Sequence, residues 1–311
     1  MARSASNRPT RIEDARLTDV ETALRETAAA VDATLERLLP AAQGAEARVA
    51  EAMRYATLAG GKRLRPYLVV AGADVFDVPR AAALRAGAAV EMIHSYSLVH
   101  DDLPAMDDDD LRRGQPTCHV AFDEATAILA GDGLLTLAFE VLAAPETHAD
   151  PAVRCRLTAG LAAAAGARGM VGGQMIDLAA KDRTLGLDAI SHLQALKTGA
   201  LITFSCEAGA ILGEATDDER AALVGYGRDL GLAFQIADDL LDVEGSEAAM
   251  GKAVGKDANA GKATFVSLLG GAGAREHGRA AVDRAIARLV VFGDRAAPLA
   301  ATARFVIDRH H

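Results

Sequence analysis

Apolar residues recur at spacings of three and four along almost the whole chain, and this one pattern restricts it to helices. Ala, Leu, Arg and Glu dominate, and β-branched runs are short. The period predicts helices at about 19–39, 45–59, 64–76, 79–102, 121–142, 151–168, 188–212, 217–243, 263–270, 273–291 and 295–308. Gly60-Gly61, Pro79, Pro104, Gly114 with Pro116, Pro145, Gly172-Gly173 and Gly255 read as the punctuation between them. No internal repeat of about 20–50 residues exists, which excludes a solenoid. The expected fold is all-α: a polar N-terminal tail over residues 1–15, then a single-domain bundle of about ten or more helices over 16–311. Segments 79–99 and 188–212 are apolar around most of their circumference, so they belong inside the bundle. Buried central helices can enclose a deep ligand cavity between them.

Composition narrows the function. Aromatic residues are 4% of the chain and Trp is absent, which disfavours stacking platforms for single-stranded nucleic acid. The net charge of -10, from 33 basic against 43 acidic residues, disfavours nucleic-acid binding generally. Cys118, Cys155 and Cys206 are widely spaced, with no CxxC pair; this argues against a disulfide framework or zinc ribbon and suits a reducing cytoplasm. The longest uncharged apolar stretch, Leu157 to Ala167, is shorter than the roughly 20 residues that a membrane span needs. The N-terminal MARSASNRPTR has no apolar region behind its arginines and does not read as a secretory signal.

Acid is concentrated in two places. Residues 101–110 hold six aspartates in ten positions, and Asp238-Asp239-Leu240-Leu241-Asp242 holds three in five. A solvated charge run would have polar neighbours; here the first cluster ends the apolar helix AAVEMIHSYSLVH and the second sits within LGLAFQIADDLLDV. Carboxylates set in apolar helices must be paired or bind cations, and hard oxygen ligands select Mg2+ or Ca2+. Asp238 and Asp242 share a helical face. Asp101 and Asp107 would lie about 240° apart on an unbroken helix. Pro104 ends or kinks the helix at Leu103, a bend that brings Asp107 back toward Asp101. The glycine of a calcium-binding EF-hand loop is missing, so several Mg2+ ions gripping a polyanion fit better than a calcium loop.

Base is concentrated too. Gly60-Gly61-Lys62-Arg63-Leu64-Arg65-Pro66 is a glycine turn opening a helix, with Lys62 and Arg65 one turn apart. It is not a P-loop, yet it sets cations and free N–H groups at a helix N-terminus, a ready anion site. Arg112-Arg113 follows the acid run. His94 lies seven residues before Asp101 on nearly the same face, and Lys197, Lys252 and Lys262 each stand beside Gly or Thr in apolar surroundings.

GGKRLRP, HDDLPAMDDDDLRRGQPTCH, GDGLL, GGQ, KTGAL and FQIADDLLDV together resemble the trans-type isoprenyl diphosphate synthases, and most nearly their bacterial farnesyl diphosphate synthase branch. The resemblance covers about residues 45–265, with both aspartate motifs in order. It implies Mg-dependent head-to-tail condensation of isopentenyl diphosphate with dimethylallyl or geranyl diphosphate. Three Mg2+ ions would hold the allylic diphosphate: Asp101 and Asp107 would ligate two and Asp238 the third, with Asp102 and Asp242 in support. Arg112, Lys197 and Lys252 match contacts to the allylic diphosphate, with Lys262 a further substrate-binding candidate. Lys62, Arg65 and Arg113, with His94 beside them, match the isopentenyl diphosphate site. Gln235, Thr198 and the Lys197 carbonyl match the polar groups facing the nascent carbocation. The resemblance also implies a homodimer. One departure is Ala253, where close relatives often carry a second cation after the lysine at 252.

The growing prenyl tail must run away from the metal-bound diphosphate, along the helix that carries Asp101. Tyr96 lies about 7.5 Å below Asp101 and Ile93 about 12 Å below, from a rise of about 1.5 Å per residue. Tyr96 is the bulky residue nearest the mouth, so it is the expected floor for a C15 product, with Ile93 and Met92 next and C20 the alternative length. Tyr96 as a packed core aromatic is the competing reading. Three other functions fit less well. A class I terpene cyclase usually has an NSE-like second motif and needs no second diphosphate site. A non-catalytic prenyltransferase subunit tends to lose one aspartate motif. A di-iron bundle needs a Glu-x-x-His on each of two helices, and no such pair lies near these carboxylates.

Overall fold

The structure, a computed structural model, describes residues 11–180, 185–249 and 264–308. It is helical nearly throughout: α1 (Arg11–Leu38), α2 (Ala47–Leu58), α3 (Leu64–Asp74), α4 (Arg80–Asp101), a two-stranded hairpin of β1 (Leu111–Arg112) and β2 (Gln115–Pro116), α5 (Cys118–Ala121), α6 (Glu124–Ala143), α7 (Pro151–Ala165), α8 (Met170–Ala179), α9 (Leu187–Gln194), α10 (Ala200–Leu212), α11 (Asp217–Ala249), α12 (Phe265–Arg288) and α13 (Ala297–Asp308). The expected all-α bundle of ten or more helices is what the described residues form.

The helices expected inside are inside. In α4 every residue from Ala86 to Ile93 is buried, and in α10 so are Leu201, Ile202 and the run Phe204–Leu212 apart from Glu207. One core packs α4 against α2, α6, α7 and α10 through Val90, Met92, Ile93, Leu134, Leu157, Leu161 and Phe204. A second joins α3, α10, α11, α12 and α13 through Leu68, Ile202, Leu223, Tyr226, Leu230, Val282 and Leu299. Tyr226 is fully buried, and its hydroxyl donates to the Leu299 carbonyl at 2.8 Å, which satisfies the one polar atom of that ring.

Several expectations need correction. Helix α1 begins at Arg11, inside the stretch expected to be a polar tail, where Arg, Glu and Ala favour helix. Gly172-Gly173 is not a break but lies within α8, a helix the periodicity does not predict. The reason is close packing: a Cβ on Gly173 would lie 2.2 Å from the Lys197 backbone nitrogen, so only glycine admits that neighbour. The expected helix at 121–142 starts earlier and divides, because Asp123 leaves the helix to cap α6, accepting from the Thr126 N–H at 2.7 Å. The segment 188–212 is α9 and α10 joined by a π-helical turn, Ala195–Gly199. Segments 263–270 and 273–291 merge into α12, kinked at Gly270 with φ 68 and followed by a 3-10 stretch, Leu289–Ala296.

The membrane reading changes as well. Glu124–Ala143 and Leu187–Leu212 are long and apolar enough to span a bilayer by length and composition, although neither contains a long uncharged run. Their apolar windows are 44% and 61% buried inside the bundle, as for core helices.

Candidate active site

The C-terminal end of α4 organises the site. Pro104 stops the helix, and the chain folds back on itself. The Leu103 N–H donates to the His100 carbonyl, the Met106 N–H to Leu103, and the Asp107 N–H to the Asp101 carbonyl at 2.9 Å. The expected return of Asp107 to Asp101 is therefore made by the backbone itself. Asp108, at φ 54, completes the reversal.

Asp101 is half-buried, and its carboxyl is pushed up to about 6. Burial is the main cause; Lys197 and Arg112 pull the other way, while Asp107 and Asp102 add to the rise. The Gln174 side-chain N–H of α8 donates to Asp101, and the Gln174 carbonyl oxygen is buried without a partner. Lys197 comes from the π-helical turn and pairs with Asp177 of α8 at 2.7 Å. A π turn widens the helix locally and often occurs at functional sites. Here it lets one residue span from α8 toward Asp101. Replacing Gly173 with alanine is expected to push this turn off α8, costing about 1–3 kcal/mol of stability through overpacking. A fall in kcat should accompany it as Lys197 is displaced; thermal denaturation and steady-state kinetics check both.

Asp102 is buried and belongs to Arg112. The guanidinium donates to both carboxylate oxygens, with Nε at 3.0 and 2.9 Å and a terminal nitrogen at 2.6 Å. This pair turns Arg112 toward the acid cluster and holds it there, and bidentate pairing is a strong orienting contact. The hairpin explains why adjacent arginines diverge. Arg112 pairs with Gln115 in the ladder, while Arg113 (φ 54) and Gly114 (φ 77) form its turn. Arg113 thus reaches away to donate to the Gly60 carbonyl. Gly60 and Gly61 both have positive φ, and a Cβ on Gly61 would meet the Arg113 guanidinium at 2.6 Å. The glycine turn and the second arginine therefore pack directly together.

His94 sits among cations. Burial, then Arg65, Arg113, Arg112 and Arg63, drive its pKa well below the usual imidazole value, so it is neutral at pH 7. Arg65 lies between the acid groups: burial lowers its pKa, and the charges of Glu91 and Asp238 oppose that fall. Its Nε is buried without a hydrogen-bond partner. Arg65 thereby links the α4 cluster to the second aspartate motif on α11.

On α11, Gln235, Asp238 and Asp242 share a face. Gln235 donates to the Gln194 side-chain oxygen at 2.8 Å, beside the π turn that carries Lys197 and Thr198. Asp239 points elsewhere: its carboxylate accepts from the Phe265 N–H at 2.7 Å and fixes the start of α12. Lys252 and Lys262 lie outside the described residues. Tyr96 is buried, its ring edge-on to His100 at 5.7 Å, and it feels the Asp101 charge. It lies in the same core as Met92 and Ile93.

The site residues that sequence reasoning missed are Asp177, Arg63 and Glu91. Asp177 stands in the stretch misread as a break. Arg63 sits between two singled-out cations, and a lone Glu in an apolar helix was the available signal for Glu91. Among the described residues, no three His, Cys, Asp or Glu side chains gather closely enough to hold an ion by themselves. The donor set still fits Mg2+, which takes one or two carboxylates and completes its shell with water and phosphate oxygens. The crowding of Asp101 by Asp107 and Asp102 is the charge imbalance that such a cation relieves.

The chain is similar to known proteins over most of its length. The family model for polyprenyl synthetase matches residues 46–289. Farnesyl diphosphate synthase of Geobacillus stearothermophilus is 46% identical over 258 residues, covering 83% of this chain and 86% of that protein. Geranylgeranyl pyrophosphate synthase 11, chloroplastic, of Arabidopsis thaliana is 43% identical over 274 residues, covering 85% and 75%. Among solved structures, the apo form of an FPP/GFPP synthase from Zymomonas mobilis is 50% identical with a TM-score of 0.85, covering 94% of this chain and 99% of that one. Fold and sequence converge on one conclusion: the chain belongs to the polyprenyl synthetase family.

Proposed function

We propose that this protein condenses isopentenyl diphosphate head to tail with dimethylallyl and geranyl diphosphates, releasing farnesyl diphosphate and diphosphate. One observation carries the reading: Arg65, Arg112 and Arg113 gather around His94, and an acid cluster with a half-buried Asp101 adjoins them at the end of the same helix. Two anionic groups brought side by side need such an arrangement.

Asp101, Asp107, Asp238 and Asp242 would hold Mg2+, three ions with the allylic substrate bound, which neutralises charge building on the departing diphosphate. Lys197 and Arg112, with Lys252, bind that diphosphate from the protein side. Asp177 and Asp102 hold Lys197 and Arg112 in place before substrate arrives. Lys62, Arg65 and Arg113 bind the diphosphate of isopentenyl diphosphate. Neutral His94 adds a hydrogen-bond donor there without a further charge. Once the allylic C–O bond breaks, the isopentenyl double bond attacks the cation, and a proton leaves to the released diphosphate. Thr198, the Lys197 carbonyl and the Gln235 side chain face the developing positive charge, and no side chain acts as nucleophile. Catalysis is orientation and electrostatic stabilisation. The exposed apolar side chains Val120, Ile128 and Leu129 on α5 and α6 offer a face for the second copy of a homodimer.

The two diphosphate sites separate kinetically. Lys62→Ala and Arg65→Ala are expected to raise KM for isopentenyl diphosphate about tenfold, near 1.4 kcal/mol of binding, with a smaller effect on the allylic substrate. Lys197→Ala should act on the allylic side, or on kcat. A Lys62→Ala enzyme impaired only toward the allylic substrate would reverse the assignment.

A further inference from the structure

Arg63 lies between Lys62 and Arg65 in the chain, and its side chain is buried in the protein. It is 3% exposed, and its backbone is left-handed (φ 49, ψ 35) at the start of α3. A non-glycine residue in that conformation is strained and persists only where its surroundings fix it. Here the guanidinium fixes it. Nε donates to Asp32 at 2.9 Å, one terminal nitrogen to Glu91 at 2.6 Å, and the other to the Thr57 carbonyl at 2.7 Å. These partners come from α1, α4 and α2, so three helices grip one side chain beneath the glycine turn.

Glu91 is nearly fully buried in α4. A buried carboxylate is expensive unless it is paired, and this one faces more than its direct partner. It also acts on Arg65 and on Arg113. It therefore serves as the buried counter-ion that lets three arginines stand together without a ligand. A cavity of about 40 Å3 is lined in part by Arg63, Glu91, Asp102, Arg112 and Arg113. It has room for water.

We propose that Arg63, clamped by Glu91, Asp32 and the Thr57 carbonyl, is a positioning residue that presets the Lys62, Arg65 and Arg113 anion site. It touches no substrate. It holds the Gly60-Gly61 turn where the Gly60 carbonyl receives Arg113, directly before Lys62 and one turn before Arg65 in the chain. The inference rests on the proposed function for the identity of the anion.

The test uses the full-length protein with Arg63→Lys, Arg63→Met and Glu91→Gln. Steady-state kinetics with isopentenyl and geranyl diphosphates are paired with calorimetric binding of isopentenyl diphosphate alone. Arg63→Met removes all three hydrogen bonds and should raise KM and Kd for isopentenyl diphosphate about tenfold, the scale of one lost charged hydrogen bond. KM for geranyl diphosphate should stay within about twofold, a criterion that follows from the separate site. Arg63→Lys keeps the charge and reaches fewer acceptors, so it should fall between wild type and Arg63→Met. It carries the test if Arg63→Met does not fold. Glu91→Gln, which loses the counter-ion but keeps an acceptor for Arg63, should shift isopentenyl diphosphate binding and leave geranyl diphosphate unaffected. A purely structural role would lower melting temperature and the active fraction, moving kcat and neither KM. Folded variants with unchanged isopentenyl diphosphate affinity, or with both KM values rising together, overturn the inference alone. Wild-type protein that neither binds nor consumes isopentenyl diphosphate overturns the functional reading as well.

Discussion

Asp101→Asn is expected to lower kcat by at least about 10²-fold, the loss typical of removing a principal electrostatic stabiliser, roughly 2.7–4 kcal/mol. The substitution keeps the side chain's shape and an oxygen for the Gln174 hydrogen bond, so the circular dichroism spectrum should not change. Activity of the wild type should vanish with chelator and return with added Mg2+. In the variant, raising Mg2+ should recover little of the loss, because the missing group is a charge and not a scarce ion. Asp238→Ala should fall comparably, since Asp238 is the proposed ligand of the third Mg2+ ion and its charge reaches Arg65 from α11. Full activity in Asp238→Ala would remove the second acid cluster from the chemistry. Asp239→Ala offers the internal contrast. Its carboxylate anchors the start of α12, so its loss should lower the melting temperature more than it lowers turnover at a temperature where the protein is folded.

Tyr96→Ala is expected to shift the main product from C15 to C20 or longer without altering metal dependence. Tyr96 is buried just over one turn below Asp101, packed edge-on against His100 in the core that contains Met92 and Ile93. Truncating the ring opens space along α4, on the path a longer tail must follow. Each added isoprene unit needs room for five carbons, so removing an aromatic ring is the right order of change. Product analysis by reversed-phase chromatography after dephosphorylation reads the result directly. A variant that still stops at C15 would place the floor deeper, at Ile93 or Met92.

Helical periodicity carried the architecture because most of these helices obey it, and α4 and α10 reveal their interior position by lacking a polar face. It failed where contacts between distant segments override local preference. Gly172 and Gly173 look like a helix break, but α8 exists because the backbone at Lys197 needs the room that Gly173 leaves. The π turn at Ala195–Gly199 has no local signature at all. In the site, the return of Asp107 to Asp101 was legible, since Pro104 forces the bend and a helix of fixed pitch cannot otherwise join them. The partners of the cations were not. Lys197 with Asp177, Arg112 with Asp102 and Arg63 with Glu91 join residues 20, 10 and 28 positions apart, and such pairings follow from the packed fold. Asp102 shows the same limit: the resemblance implies a supporting place beside the cation ligands, and only the packed fold shows that it pairs with Arg112.

The most direct test of the account is incubation of the purified protein with Mg2+, isopentenyl diphosphate and the C5, C10 or C15 allylic diphosphate in turn, with product length measured. Farnesyl diphosphate should accumulate from the C5 and C10 primers, with diphosphate released at each addition and little extension of the C15 primer. Efficient extension of the C15 primer to C20 or beyond would contradict the C15 assignment, and no consumption of isopentenyl diphosphate with any primer would contradict the proposed function itself.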